Sequence, residues 1–255
     1  MKNLAIILST LLCAAPGFAQ GGPIEGAPAG IEEDARLITP DTELIDMPTA
    51  SVLDLGGFYS KTRFFSSGGV LEFLAFGVYP RVNLGASING DRVIGTSDPM
   101  RIRRPELQFK FRFFDGDRLL PAIALGFDSQ GWLYSQPIKD YNQQERGFYM
   151  IGSQEIGVPG LQLHMGWSIS DFDQNDIGGM IASSWNIQDK VLVMMEWDNI
   201  NSFVKSRLNA GTRFYVTPNF NIEFSLRGIG QGGRFSNGVK RGPERIAQFK
   251  YTGNF

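Results

Sequence analysis

The last nine residues, Ala247-Gln248-Phe249-Lys250-Tyr251-Thr252-Gly253-Asn254-Phe255, alternate without a break. One face carries Ala247, Phe249, Tyr251, Gly253 and Phe255; the other carries Gln248, Lys250, Thr252 and Asn254. A period of two over this length makes a strand with one apolar and one polar face. Lipid against one face and a polar lumen against the other is the setting that suits it, as in a transmembrane β-barrel.

The same period recurs upstream. Leu107, Phe109, Phe111 and Phe113 oppose Glu106, Gln108, Lys110 and Arg112. Leu161, Leu163, Met165, Trp167 and Ile169 oppose Gln162, His164, Gly166 and Ser168, and Phe220, Ile222, Phe224 and Leu226 oppose Asn221, Glu223, Ser225 and Arg227. Twelve strands are predicted, near 51–64, 70–79, 82–90, 103–114, 120–130, 147–155, 161–170, 177–187, 191–198, 206–216, 220–229 and 245–255. Residues 70–78 are apolar on both faces, which leaves their register open.

Connection lengths separate a barrel from a sandwich. Pro80-Arg81, Asp115 to Arg118, Gly157 to Gly160, Gln188 to Lys190 and Pro218-Asn219 are tight and carry turn residues. Between them run the longer connections Asp91 to Ile102, Gly131 to Arg146 and Gly230 to Glu244; Phe65 to Gly69 is the one short exception. Bacterial barrels keep periplasmic turns short and let outer loops grow. The expected fold is all-β: a single antiparallel transmembrane β-barrel of the bacterial outer membrane, over 47–255. A secreted soluble sandwich also alternates, but it accounts for neither the loop asymmetry nor the aromatic end. Phe249, Tyr251 and Phe255 resemble the C-terminal signature that the barrel-assembly machinery reads.

Residues 1–19 have the parts of a secretory signal: Lys2, an apolar run from Leu4 to Ala15, and Gly17-Phe18-Ala19 before an expected cleavage. The run is too short to span as a helix. Cys13, the one cysteine, lies within it, so thiol chemistry is not expected of the mature chain. Residues 20–46, rich in Gly, Pro, Ala and acids, read as a flexible periplasmic leader. A mean hydropathy of −0.12 fits a barrel, which hides alternate side chains in lipid. A net charge of −2 gives no basic field for nucleic acid.

Chemistry concentrates on the polar face. Glu106, Lys110, Arg112, Glu196, Arg213, Glu223, Arg227 and Lys250 are the candidate lumenal charge network, with Asp128, Asp198 and Arg207 beside them. They either line a pathway for an anionic polymer or neutralise one another in a filled lumen; a barrel of this size sits between filled and open ones. Trp132, Tyr134, Tyr141, Arg234, Lys240 and Arg241 are candidate outer-loop ligand contacts, with an interfacial girdle as the plainer role for the aromatics. His164, the one histidine, lies four residues from Ser168, too far along a strand for a hydrolytic dyad. No catalytic residue, metal or cofactor is expected. Gly228-Ile229-Gly230-Gln231-Gly232-Gly233 matches a dinucleotide pattern, but no βαβ unit surrounds it.

Met47-Pro48-Thr49-Ala50, Leu120 to Phe127, Gly160 to Trp167, Glu196-Trp197-Asp198 and Leu208 to Phe214 occur in an order that resembles the YjbH-like family of exopolysaccharide- and capsule-associated outer-membrane barrels. The resemblance implies a role in surface-polysaccharide export or assembly, with an acidic polysaccharide and periplasmic export proteins as partners beside outer-membrane lipid and lipopolysaccharide. Typical members are longer and carry further β-rich regions. The alternatives are a small-solute porin, which needs an open lumen, and an outer-membrane hydrolase, which His164→Ala would disable.

Overall fold

The computed structural model describes residues 39–95, 99–135, 140–143, 146–170, 177–200, 206–234 and 242–255. The strands, in chain order, are β1 (Gly57–Phe65), β2 (Gly69–Tyr79), β3 (Val82–Asp91), β4 (Arg101–Ile102), β5 (Glu106–Phe114), β6 (Ala122–Asp128), β7 (Trp132–Ser135), β8 (Asp140–Gln143), β9 (Gly147–Glu155), β10 (Leu161–Ile169), β11 (Ile177–Ile187), β12 (Val191–Asp198), β13 (Arg207–Thr217), β14 (Phe220–Ile229) and β15 (Glu244–Asn254). All but β4, β7 and β8 form one antiparallel wall of twelve strands, each paired with its sequence neighbours in the wall. Pairing of β1 with β15, from Gly57↔Asn254 to Phe64↔Ala247, closes it. Closure leaves no edge strand among the twelve of the wall, the condition for β-structure in lipid.

The alternation decides which way each strand faces. On β5, Leu107 is 65% exposed and Phe109, Phe111 and Phe113 are exposed beside it, while Glu106 and Lys110 are buried. Met165 and Trp167, Met195 and Trp197, Phe224 and Leu226, and Phe249 and Tyr251 also point outward. Apolar residues exposed round the outside, with charged residues buried within, invert a soluble protein and fit a membrane barrel. The open register of β2 resolves in the same way: Leu71, Phe73 and Ala75 face the lumen, and Leu74, Phe76 and Val78 face out. Phe73 pairs with the inward-facing Lys61 in the β1–β2 register and stacks on Tyr59, with centroids 5.4 Å apart.

One end of the barrel carries tight turns. In the β11–β12 turn, Gln188 and Asp189 both have a φ of 53°, a left-handed pair suited to a tight hairpin. Asn186 and Asp189 clamp that turn by a 2.7 Å side-chain hydrogen bond. At the opposite end lie the long connections and the β7–β8 hairpin. Some boundaries differ from expectation. β6 starts at Ala122 rather than 120, because the Asp117 carboxylate accepts the Leu119 and Leu120 N–H groups at 2.6 and 2.8 Å. That arrangement makes the strand's beginning part of the turn.

The larger difference concerns the first strand and the leader. β1 begins at Gly57, and residues 41–53 form an inner hairpin within the barrel. Leu44 N–H donates to Met47 O at 2.8 Å and Thr49 N–H to Thr42 O at 3.1 Å, with Glu43 bridged to Pro48. Residues 41–46, expected as the end of a flexible leader, are instead held in the lumen. Residues 1–38 lie outside the described residues.

Candidate functional site: a lumen with two unlike walls

The inner hairpin extends from the turn end, and its tip lies in the loop-end half. Three consecutive N–H groups at that tip converge on one carboxylate. Ile45, Asp46 and Met47 donate to Glu196 Oε1 at 2.7, 3.1 and 3.0 Å, and Asn209 steadies Oε2 at 2.9 Å. A carboxylate that accepts several backbone N–H groups makes a strong anchor, since charge-assisted bonds are roughly twice as strong as neutral ones. Gly211 makes room for the tip. A Cβ built there would lie 3.1 Å from Ile45 Cδ1 and 2.7 Å from Ser225 Cβ.

On one side the hairpin is apolar. Leu44, Ile45, Met47 and Ala50 pack into a buried cluster with Ala124, Tyr149, Ile151, Met180, Ala182, Leu192 and Met194. Those wall residues come from β6, β9, β11 and β12. Burying side chains of this size contributes roughly 1.5–3 kcal/mol each.

On the other side it is acidic. Asp41 pairs with Arg213, Glu43 with Lys61 at 2.7 Å, and Asp46 with Arg63 at 2.8 Å and Arg227 at 3.5 Å. Tyr215 Oη also donates to Asp41. Wall cations reach the hairpin backbone as well. Lys110 Nζ donates to the carbonyls of Thr42, Thr49 and Ser51, and Arg146 to that of Asp46 at 2.9 Å. Side chains of the hairpin thus bridge the bore between an apolar wall and a cationic one. Cavities beside it measure about 70, 60 and 50 Å³, room for a few waters each.

Of the residues expected to make a lumenal charge network, Glu106, Lys110, Glu196, Arg213, Glu223, Arg227 and Lys250 are buried. Arg213 and Glu223 pair at 2.7 Å with neither side chain exposed, and Arg227 pairs with Glu244. Lys250 stands over the Tyr59 ring at 4.2 Å, and it is Gln248 that reaches Glu223, at 3.3 Å. Glu106 accepts from Arg104 at 2.9 Å near the loop end. Arg112 lies at the turn-end rim, 3.0 Å from Asp115, away from the lumenal pairs. Asp198 takes Arg146 at 3.0 Å and Arg207 at 2.7 Å. Sequence reasoning missed Lys61, Arg63 and Arg146, and all three hairpin acids. Tyr59, Lys61 and Arg63 alternate with Phe58, Ser60 and Thr62, so the signal was there in β1.

The outer aromatics do not form a girdle. Trp132, on β7, stacks with the Arg63 and Arg227 guanidinium groups, 4.9 and 4.3 Å from its ring, and meets Phe65 edge-on. Tyr134 covers Arg103 at 3.9 Å. Tyr141 is buried, with its hydroxyl 3.3 Å from Glu106; burial first and that carboxylate second push its phenol up to about 12. Arg234 is exposed, and Lys240 and Arg241 lie outside the described residues. At the turn end Phe255 is exposed, while Phe249 packs on Phe64 and Phe220 on the outer face.

His164 is fully buried, with Ser153 Oγ 2.8 Å from Nδ1 and Ser184 Oγ 3.0 Å from Nε2. Both ring nitrogens are engaged across neighbouring strands, and Ser153 in turn accepts the Ala50 N–H at 2.9 Å. The ring ties the hairpin's return arm to the wall.

No family model matches the chain, and a comparison with curated proteins finds no match. Among solved structures it is similar to one described as a KdgM porin, at 8% identity over 76% of this chain and 98% of the other, with a TM-score of 0.48. A NanC porin matches at 11% identity over 78% and 99% of the two chains, with a TM-score of 0.42. A mutant of the Rh. blastica porin matches at 6% identity over 72% and 55%, with a TM-score of 0.35.

Proposed function

We propose that the chain is a small-solute channel of the bacterial outer membrane, held closed at rest by the hairpin of residues 41–53. One observation carries this reading: a separate segment of chain, and not the wall's side chains alone, fills the bore. Wall side chains alone fill an eight-stranded barrel, and a wider one needs something more or conducts. A segment that is no part of the wall's strand ladder can leave without breaking a strand pair. The outer apolar face and the short-turn, long-loop asymmetry support the membrane setting.

A second reading is a permanently plugged barrel that serves surface-polysaccharide export or assembly. The anchoring of the hairpin favours it, through Glu196 at the tip and ion pairs along the acidic side.

Paired cysteines at Ala50 and Ser153, where the Ala50 N–H lies 2.9 Å from Ser153 Oγ, separate the two. The only native cysteine is Cys13. In planar bilayers the oxidised variant should be silent and the reduced one should show discrete conductance steps. Silence from a reduced, folded barrel overturns the channel and supports the plugged assembly factor.

A further inference from the structure

The two walls that grip the hairpin define a ligand as well as a plug. Lys61 and Lys250 are register partners across the β1–β15 pair, and both are buried. Like charges directly opposite one another repel, so this pair needs an anion close by. Glu43 supplies it, with both carboxylate oxygens 2.7 Å from Lys61 Nζ. Among the described residues, the ion pairs of Lys61 and Arg63 are with Glu43 and Asp46 of the hairpin. Arg213 and Arg227, by contrast, keep the wall carboxylates Glu223 and Glu244. Withdrawal of the hairpin would therefore leave a defined carboxylate position at Lys61, Arg63 and Lys250.

The opposite wall carries an apolar patch beside its polar residues His164, Ser184 and Glu196. Tyr149, Ile151, Met180, Leu192 and Met194 face the bore there, and the hairpin covers them with Leu44, Ile45 and Met47. A hydrophilic polyol would leave that surface wet or its own hydroxyls unpaired. Opening thus carries two costs, exposed apolar wall and unpaired lysines. A ligand lowers both only if it has an apolar body and a carboxylate head.

We propose that the hairpin occupies the site of an amphipathic organic carboxylate, which binds between the Lys61–Lys250 pair and the apolar wall and displaces it. This rests on the channel reading above and names the solute class. It differs from both the neutral-solute and acidic-polymer versions of that reading.

The test uses the mature chain in liposomes with Ala50→Cys as a reporter, because Ala50 lies on the hairpin and is buried against the wall while the hairpin is docked. Labelling of this hairpin residue by a water-soluble maleimide is timed with 4-phenylbutyrate, with its neutral isostere 4-phenylbutanol and with glucuronate. Phenylbutyrate should speed labelling about ten-fold and each control less than about two-fold. Equal acceleration by glucuronate overturns the apolar half of the site, and equal acceleration by phenylbutanol overturns the carboxylate half. No acceleration by any probe overturns the site altogether; steps from the reduced cysteine pair would still uphold the channel. Acceleration by phenylbutyrate with silent bilayers upholds the site and overturns the channel. Lys61→Met, verified as folded by heat-dependent gel mobility, should bring phenylbutyrate down to the level of its neutral isostere; an undiminished response counts against the proposal.

Discussion

Glu196 and Met47 stand 149 positions apart in the chain, yet the Met47 N–H donates to Glu196 Oε1 at 3.0 Å. The neighbouring N–H groups of Ile45 and Asp46 share the same carboxylate. Wall and plug are coupled at this point, and the coupling is open to measurement.

Glu196→Gln keeps one acceptor but loses the charge. Hydrogen bonds to charged groups contribute roughly 1.5–3 kcal/mol. Docking should weaken by about 2 kcal/mol, or about 30-fold in maleimide labelling of Ala50→Cys. The twelve-strand wall should still refold, as judged by heat-dependent gel mobility. Unchanged labelling would mean that Glu196 does not hold the tip.

Glu43→Gln strips the buried Lys61–Lys250 pair of its counter-charge and should cost about 3–5 kcal/mol in urea unfolding. Combined with Lys61→Met, the loss should fall short of the sum of the two, by a coupling of about 2 kcal/mol. Additive losses would show that the 2.7 Å ion pair contributes nothing specific.

Gly211→Val places a branched side chain against Ile45 and Ser225. Overpacking of this kind costs about 1–3 kcal/mol. The hairpin should yield before the wall does, so Ala50→Cys should label faster while the barrel still folds. Gly179→Ala serves as the control, since its nearest neighbour, Ile200 Cβ, is at 3.6 Å. Equal effects from both would assign the change to strand propensity.

Trp132→Ala removes the ring that meets both Arg63 and Arg227. Cation–π contacts contribute about 0.5–2 kcal/mol, and urea unfolding should report a loss in that range. In the reduced cysteine pair, the same change should raise the frequency of conductance steps, because Trp132 covers the outer side of the two guanidinium groups that hold Asp46. An unaltered frequency would leave β7 without a part in closure.

The wall was legible in the sequence because its signals are local. Alternation at Glu106 to Phe113 and Ala247 to Phe255, and turn residues at Pro80-Arg81 and Gln188-Asp189, act over a few residues and leave one orientation per strand. Even the ambiguous β2 needed only its neighbour β1, whose register sets Phe73 beside Lys61 on the inner face. The plug was not legible. Asp41, Glu43 and Asp46 among Gly, Pro and Ala read as solvated leader, because the charges they meet lie far along the chain. Asp41 finds Arg213 at a separation of 172 residues, and Arg227 finds Asp46 at 181. Leu44, Ile45 and Met47 show no period, since a tight hairpin buries side chains by shape rather than by repeat. The sequence alone determined the twelve-strand wall and its two faces, because steric alternation and turn chemistry are properties of neighbours. Only the tertiary structure decided that the lumen is filled by residues 41–53, because long-range electrostatics and cavity shape exist only once the wall has closed.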